Sequence, residues 1–312
     1  MALLRNKVHL IRYLIILKKK RLKHFWLELL DNISYNYFMK IKRIYIEITN
    51  NCNLHCSFCV PNSRNKKYMS IDEFEHIIKQ IKDISSYIYL HVQGEPLLHP
   101  YFDQILTICD NYDMHVQLVT NGTFIDKHMN IYQHPSLRKI SFSLHSIDYQ
   151  LIDPDIYINN ILSFVKSASK NCFIELRFWT IDNISYKMQK IIDLLKRDHH
   201  FELTSKKLSY KLSDNLYIYF QNSFTWPINA HNHHINGFCY AANNMLAILV
   251  NGDVSICCLD SDGKINIGNI FETDIKKILT SQHYKDIISA FNQNKCIESL
   301  CQQCTYRDRF NK

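Results

Sequence analysis

The 312-residue sequence predicts an α/β protein with a parallel sheet, a cysteine-rich C-terminal extension and a basic helical arm in front. Three observations predict it. Short β-rich runs alternate with helical periods from residue 44 to about residue 220. After Trp226-Pro227 the alternation stops and cysteines crowd together. Before residue 44 the chain is strongly basic with a single apolar stripe.

In the arm, Leu22, Phe25, Trp26, Leu29, Leu30 and Ile33 recur at helical spacing, an amphipathic face. Residues 1–43 hold eleven Lys/Arg against only Glu28 and Asp31, a net +9, whereas the remainder carries 26 Lys/Arg against 27 Asp/Glu. The formal +8 of the whole chain therefore belongs to the arm. The balanced body offers no phosphate-binding stripe, so no extensive nucleic-acid contact is expected. The arm suits either docking on the body or peripheral contact with an anionic membrane surface. Docking is the preferred expectation, with Trp26, Leu29 and Leu30 covering an exposed face.

Ile44–Thr49 opens the alternation as a β-rich run. Ser70 with Glu73 three residues on is a capping box for a helix to Ile84. Strands are expected at Tyr87–Val92, His115–Val119, Lys139–Leu144 and Phe173–Trp179, and helices at Tyr101–Tyr112, Ile156–Ser169 and Tyr186–Lys196. A sixth strand lies within Leu208–Phe220, where Leu208–Leu212 and Leu216–Phe220 both qualify. Repeated β-α units imply parallel strands with helices outside. Met245–Val250 and Val254–Cys257 flank Asn251-Gly252, the signature of a hairpin with a type I′ turn. Thr273–Ser281 and Tyr284–Asn292 read as short helices. The expected divisions are 1–42, 43–222 and 223–312.

Eleven cysteines in a chain without an evident export signal, and without an apolar run of spanning length, point to metal or redox chemistry in the cytoplasm. Cys52-x3-Cys56-x2-Cys59 follows the first strand directly. Three thiolates on one loop can hold three irons of a cubane cluster and leave the fourth open to another ligand. Phe58 sets an aromatic ring beside them. A zinc site is the alternative, with His55 as the nearby fourth ligand. Cys109 and Cys172 sit in apolar helix and strand contexts and read as core thiols.

Residues 43–222, through CNLHCSFC, resemble the radical S-adenosylmethionine (SAM) core. The resemblance implies a partial (β/α)6 barrel with a [4Fe–4S] cluster on Cys52, Cys56 and Cys59 at the C-terminal mouth of the strands. It implies S-adenosyl-L-methionine as cofactor and a one-electron donor such as flavodoxin or ferredoxin as partner. Gln93-Gly94-Glu95-Pro96 resembles the family's GGEP motif, with Gln93 in place of the first glycine. Gly94, Glu95 and Pro96 would then receive the methionine amino group, Ser143 the ribose and Arg177 the methionine carboxylate. Asn121, at the end of the third strand, would line the same pocket. Bland roles stand beside these: a loop acid or helix N-cap for Glu95, a backbone-bonded serine for Ser143, an ion pair with Glu175 for Arg177, and a turn for Asn121.

Cys239-x12-Gly252-x4-Cys257 followed by Cys301-x2-Cys304 resembles the SPASM and Twitch extensions. That implies one auxiliary [4Fe–4S] cluster on Cys239, Cys257, Cys301 and Cys304, with Cys258 and Cys296 left over. A four-cysteine zinc ribbon is the alternative. The expected function is an oxidoreductase or maturase that forms a 5′-deoxyadenosyl radical and takes hydrogen from a peptide or protein substrate. A sugar- or aminocyclitol-like small molecule is the second expectation, and a non-catalytic metal-binding protein of the same fold the third. A peptide strand is expected to pair with the exposed hairpin edge around Met245–Cys257.

Overall fold

The computed structural model describes residues 41–60, 63–179, 184–202, 204, 208–222, 224–231 and 233–310. Apart from Ile41 and Lys42, the basic arm lies outside the described residues, and so do the expectations placed on it. Among the described residues no helix is long and apolar enough to cross a membrane.

Among the described residues, ten strands form one open sheet. They are β1 (Arg43–Ile46), β2 (Tyr87–Tyr89), β3 (His115–Thr120), β4 (Leu137–Ser143), β5 (Phe173–Trp179), β6 (Ser209–Ser213), β7 (Leu216–Gln221), β8 (Met245–Ile248), β9 (Asp253–Ser255) and β10 (Asn266–Asn269). Their order across the sheet is β10-β9-β8-β1-β2-β3-β4-β5-β7-β6. From β1 through β5 to β7 every pairing is parallel. This is the expected six-stranded β/α half-barrel, and its sheet does not close.

Crossover helices α1 (Ile71–Ile81), α2 (Phe102–Asn111), α3 (Pro154–Ala168) and α4 (Tyr186–His199) connect the parallel strands. Helix α1 begins at the expected capping box, with Ser70 accepting from the Glu73 N–H and the Glu73 carboxylate from the Ser70 N–H. Asp153 caps α3 through two backbone N–H groups, with Pro154 at its first position. Each helix buries one stripe, Phe74, Ile77, Ile78 and Ile81 in α1 and Ile158, Ile161, Phe164 and Val165 in α3. On β5, Ile174, Leu176 and Phe178 are buried, while Glu175, Arg177 and Trp179 alternate onto the other, half-open face. Cys109 and Cys172 lie in the core as expected.

Three expectations are corrected. Both candidates for the sixth strand are strands: β7 continues the parallel series, and β6 pairs antiparallel with it at the edge. The Asn251-Gly252 hairpin forms, but its turn is not type I′. Gly252 alone has positive φ (88°), and its N–H closes a turn onto the Leu249 carbonyl at 2.8 Å. The result is a longer loop ending in a positive-φ glycine. Finally, the hairpin has no free edge. Its first strand, β8, pairs in parallel with β1, and β9 is covered by β10. Both sides of the hairpin strands are therefore paired, and the outer strands of the sheet are β10 and β6.

The junction of β1 with β8 is held by a carboxylate. Glu47, fully buried, accepts both arms of the Arg64 guanidinium at 2.5 and 2.7 Å. It also accepts the Gln93 N–H at 3.2 Å and the Val250 N–H at 3.1 Å. Arg64 reaches on to the Ser261 carbonyl at 2.8 Å. Removing one partner of such a buried pair strands the other charge. Glu47→Ala should therefore lower unfolding free energy by about 3–5 kcal/mol in denaturant titration. A loss below about 1 kcal/mol, the level of an exposed pair, would show that the contact is dispensable.

Candidate functional site

The residues of interest collect at the carboxyl ends of the parallel strands, where open α/β sheets place their ligands. The loop leaving β1 carries Cys52, Cys56 and Cys59. All three are free thiols, with Cys56 half-buried and the other two exposed. The loop is a compact turn in which the Cys59 N–H bonds the Cys56 carbonyl at 3.0 Å. Burial, and then the like charges of Cys52 and Cys59, push the Cys56 thiol up to about 12. Three thiolates this close repel one another, and a cation among them removes that penalty.

The end of β2 is fastened to this loop. Gly94 has φ of 80°, and a Cβ there would stand 2.4 Å from the Thr49 carbonyl oxygen and 2.8 Å from that of Asn51. Only glycine permits the approach. The next residue completes it, the Glu95 N–H bonding the Asn51 carbonyl at 2.7 Å. Gln93, which stands where the resembled motif has glycine, accepts from the Cys59 thiol at 3.4 Å, and its own Nε2 is buried with no partner. The Glu95 side chain turns inward. It accepts from Thr120 Oγ1 (2.7 Å), the Asn121 N–H (2.7 Å) and the Leu97 N–H (3.1 Å), and so caps the short 3₁₀ turn Pro96–Leu98. The N-cap role considered from sequence is thus present, and the carboxylate braces β2 against β3.

Asn121 is more than a turn residue. Its Nδ2 donates to Asn53 Oδ1 at 2.9 Å inside the cysteine loop and lies 4.0 Å from Cys52 Sγ. Its carbonyl collects Tyr157 Oη, Gln150 Nε2 and Ser146 Oγ. Phe58 meets His145, Trp179 and Tyr149 at ring separations of 4.9, 5.2 and 5.6 Å, and His145 stacks on Trp179 at 4.6 Å. Trp226 donates to the Phe58 carbonyl at 2.8 Å, so the C-terminal segment also grips this loop. Ser143 and Arg177 are register partners at the ends of β4 and β5. The ion pair considered for Arg177 is not the one formed. Glu175 is taken by Lys139 (2.5 Å) and Ser141 (2.7 Å), and Arg177 donates to Gln221 at 3.2 Å. Burial lowers the Arg177 pKa below its ordinary value.

The second sulfur set forms around the helix α7 (Ser299–Gln303), which follows α5 (Ile275–Leu279) and α6 (Gln282–Asn292). Cys301 lies on α7, and Cys304 is its C-cap. Burial, then the charges of Cys239, Cys296 and Cys304, raise the Cys301 pKa. Cys257 feels Cys239 and hydrogen bonds its neighbour Cys258. Cys258 in turn bonds Tyr45 and packs on the apolar cluster of Tyr45, Ala247 and Leu249. Cys296 is buried and sits with the terminal sulfurs. Among the described residues, no three His, Cys, Asp or Glu side chains converge on a single-ion position.

Sequence reasoning missed Glu47, Arg64 and the ring cluster on Phe58. Glu47 had a readable signal, being the one acid inside the apolar run Ile44–Ile48, where burial demands a partner. Its partner Arg64 carried none.

Glu95 offers a pH test. Burial raises its pKa from 4.5 to about 7, against the three hydrogen bonds that lower it. The folded chain therefore holds this proton to higher pH than the unfolded chain. That contribution to stability is complete below about pH 4.5 and is lost as pH rises toward 7. Glu95→Gln should remove the trend, so that wild-type minus variant stability falls by about 3 kcal/mol across the window. A difference that is flat or rises with pH would contradict the assignment.

A model described as the radical SAM superfamily matches residues 46–195, and one described as an iron–sulfur cluster-binding domain (SPASM) matches residues 239–305. GTP 3′,8-cyclase of Synechocystis sp. is 23% identical over 176 residues, 54% of each chain. That of Aquifex aeolicus is 21% identical over 194 residues, 58% of this chain and 59% of its own. The chain thus spans little more than half the length of these curated relatives. Among solved structures, BtrN in complex with AdoMet and 2-DOIA superposes with a TM-score of 0.55 at 17% identity, covering 85% of this chain and 93% of BtrN. Streptococcus suis SuiB bound to S-adenosylmethionine gives 0.57 at 17% identity, covering 90% and 77%. Tagged anSMEcpe with bound AdoMet gives 0.57 at 14%, covering 85% and 86%. These likenesses concern the fold. With both family models matched in the expected order along one continuous sheet, the chain belongs to the radical SAM superfamily and carries a C-terminal iron–sulfur cluster-binding domain of the SPASM type.

Proposed function

We propose that the protein is a radical SAM oxidoreductase or maturase acting on a peptide or protein side chain. The observation that carries the reading is the loop after β1, where three free thiols stand together and are tied to the ends of β2 and β3 through Gly94, Glu95 and Asn121. The residues fit the groups the family uses. Three thiols in one loop suit a cluster that keeps one open iron, and the orphaned Gln93 Nε2 and the glycine cradle at Gly94 lie beside them. When bound, the [4Fe–4S] cluster and S-adenosyl-L-methionine supply one-electron reductive cleavage of the sulfonium to methionine and a 5′-deoxyadenosyl radical, which takes hydrogen from an unactivated carbon.

The chain's own residues hold and orient. Cys52, Cys56 and Cys59 ligate the cluster. Backbone carbonyls around Gly94–Pro96 accept the methionine amino group. The Glu95 carboxylate, already engaged by three donors, keeps that turn rigid rather than reaching outward. Arg177, on the half-open face of the sheet, offers a fork for a carboxylate. Ser143 beside it suits a ribose hydroxyl. Phe58, His145 and Trp179 form an aromatic wall beside the loop. Cys239, Cys257, Cys301 and Cys304 hold one auxiliary cluster. A small electron carrier such as flavodoxin or ferredoxin, in the cytoplasm, serves as donor.

The peptide reading is supported by fold neighbours solved with peptides, SuiB with its precursor SuiA and anSMEcpe with the Cp18Cys peptide. A sheet that does not close leaves lateral room for an extended chain. A small-molecule substrate is the second reading. It is favoured by the 93% coverage of BtrN, solved with 2-DOIA, and by a single auxiliary sulfur set. Deuterium transfer separates the two. Under anaerobic, reducing conditions, label from a peptide should appear in 5′-deoxyadenosine. Label arriving only from a sugar or aminocyclitol would decide for the second reading.

A further inference from the structure

Arg307 is 2% exposed, yet among the described residues no carboxylate pairs with it. It stands on the 3₁₀ turn Tyr306–Phe310, directly after the Cys301-x2-Cys304 loop. Its Nη1 donates to Cys296 Sγ at 2.6 Å, and its Nη2 donates to the His234 carbonyl. The backbone makes room for it. Gly237 has φ of 142°, and a Cβ there would stand 2.8 Å from Nη1. The surrounding strands of chain are stitched together: the His234 N–H to the Gln302 carbonyl at 2.9 Å, the Cys296 N–H to the Ile235 carbonyl at 2.7 Å, and Gln302 Nε2 to the Cys296 carbonyl at 2.9 Å. The fold has therefore built a fixed slot for one buried guanidinium.

A buried guanidinium never loses its proton and costs several kcal/mol unless an anion faces it. The sulfur set is the anion on offer. Arg307 stands three residues after Cys304, and Cys296 is fastened to the helix that carries Cys301 by Gln302, whose Nε2 donates to its carbonyl at 2.9 Å. A cluster held by four thiolates is negative overall, and its potential depends on net charge and on hydrogen bonds to sulfur. A fixed positive charge stabilises the reduced, more negative form.

We propose that Arg307 is the built-in counter-charge of the auxiliary sulfur site, delivered through Cys296, and that it raises the reduction potential of the iron–sulfur centre held there. Arg307 is a positioning residue: it makes the centre a better acceptor of an electron without touching substrate. This rests on the iron–sulfur reading of Cys239, Cys257, Cys301 and Cys304, and Cys296 gains a role beyond that of a spare thiol.

The test uses the full chain with Cys52, Cys56 and Cys59 all replaced by Ala, so that the auxiliary centre stands alone. After anaerobic reconstitution, iron is assayed and the potential is followed by EPR-monitored redox titration. Arg307→Gln should keep its iron while the equilibrium constant for reduction falls about tenfold, roughly 59 mV for one electron. Arg307→Lys, which keeps the charge but not the fork, should shift less. An unchanged potential in an iron-loaded R307Q overturns the proposal. Should R307Q fail to fold, the same chain with Arg307 intact and guanidino-¹⁵N-arginine decides. Pulsed EPR of the reduced centre should then detect a weak ¹⁵N coupling, and its absence overturns the proposal equally. A parent that binds no iron refutes the iron–sulfur reading itself, which the iron assay distinguishes from an iron-loaded parent whose potential ignores residue 307.

Discussion

A carboxylate that cannot reach water must find donors within the protein, and Glu47 finds them on three other segments at once. Arg64 comes from the far side of the cysteine loop, the Gln93 N–H from the turn after β2, and the Val250 N–H from the end of β8; Glu47 itself follows β1. The position of the Cys52–Cys59 loop is set by this knot. One end of the loop leaves β1 beside Glu47, and the other returns through Arg64. Because Arg64 also grips the Ser261 carbonyl, the C-terminal segment is drawn against the same point. The geometry suits a site that must hold a large inorganic group with little tolerance. The loop is short and partly exposed, and its precision has to come from the buried charge behind it.

The two sulfur sites share one sheet. β1 lies between β2, whose end carries Gly94 and Glu95, and β8, whose hairpin leads to Cys257. Ring contacts run between the same two regions: Phe58 on Trp179, Trp179 on Phe224 at 5.5 Å, and Phe224 on Tyr306 at 5.5 Å, beside Arg307. Both sulfur sites are thus carried by loops of one continuously paired sheet.

How much of this could be read from the sequence follows from where the forces act. The parallel strands and helices were legible because burial imposes local periods, and Ser70 with Glu73 marked the α1 start to the residue. The cysteine loop was legible because its three cysteines lie within eight consecutive positions. What escaped was non-local. β8 joins β1 across about two hundred residues, and nothing in Met245–Ile248 records its partner. For the same reason the hairpin edge was misjudged as free. The turn at Asn251-Gly252 deviated because Val250 is tied to Glu47, so the loop closes one residue earlier. Glu95 and Asn121 were singled out from the motifs around them, but their inward bonds depend on how β2 and β3 lie together, which their sequence neighbours do not reveal.

The central claim is that Cys52, Cys56 and Cys59 form the radical-generating site and that the terminal cysteines form a separate one. The most direct measurement pairs iron content with 5′-deoxyadenosine release from S-adenosylmethionine, under anaerobic reduction, in the wild-type chain and in Cys56→Ala. The account predicts about eight irons and steady release for the wild type, and about four irons with no release for the variant, from four irons per cluster. A Cys56→Ala chain that releases 5′-deoxyadenosine at the wild-type rate would contradict it.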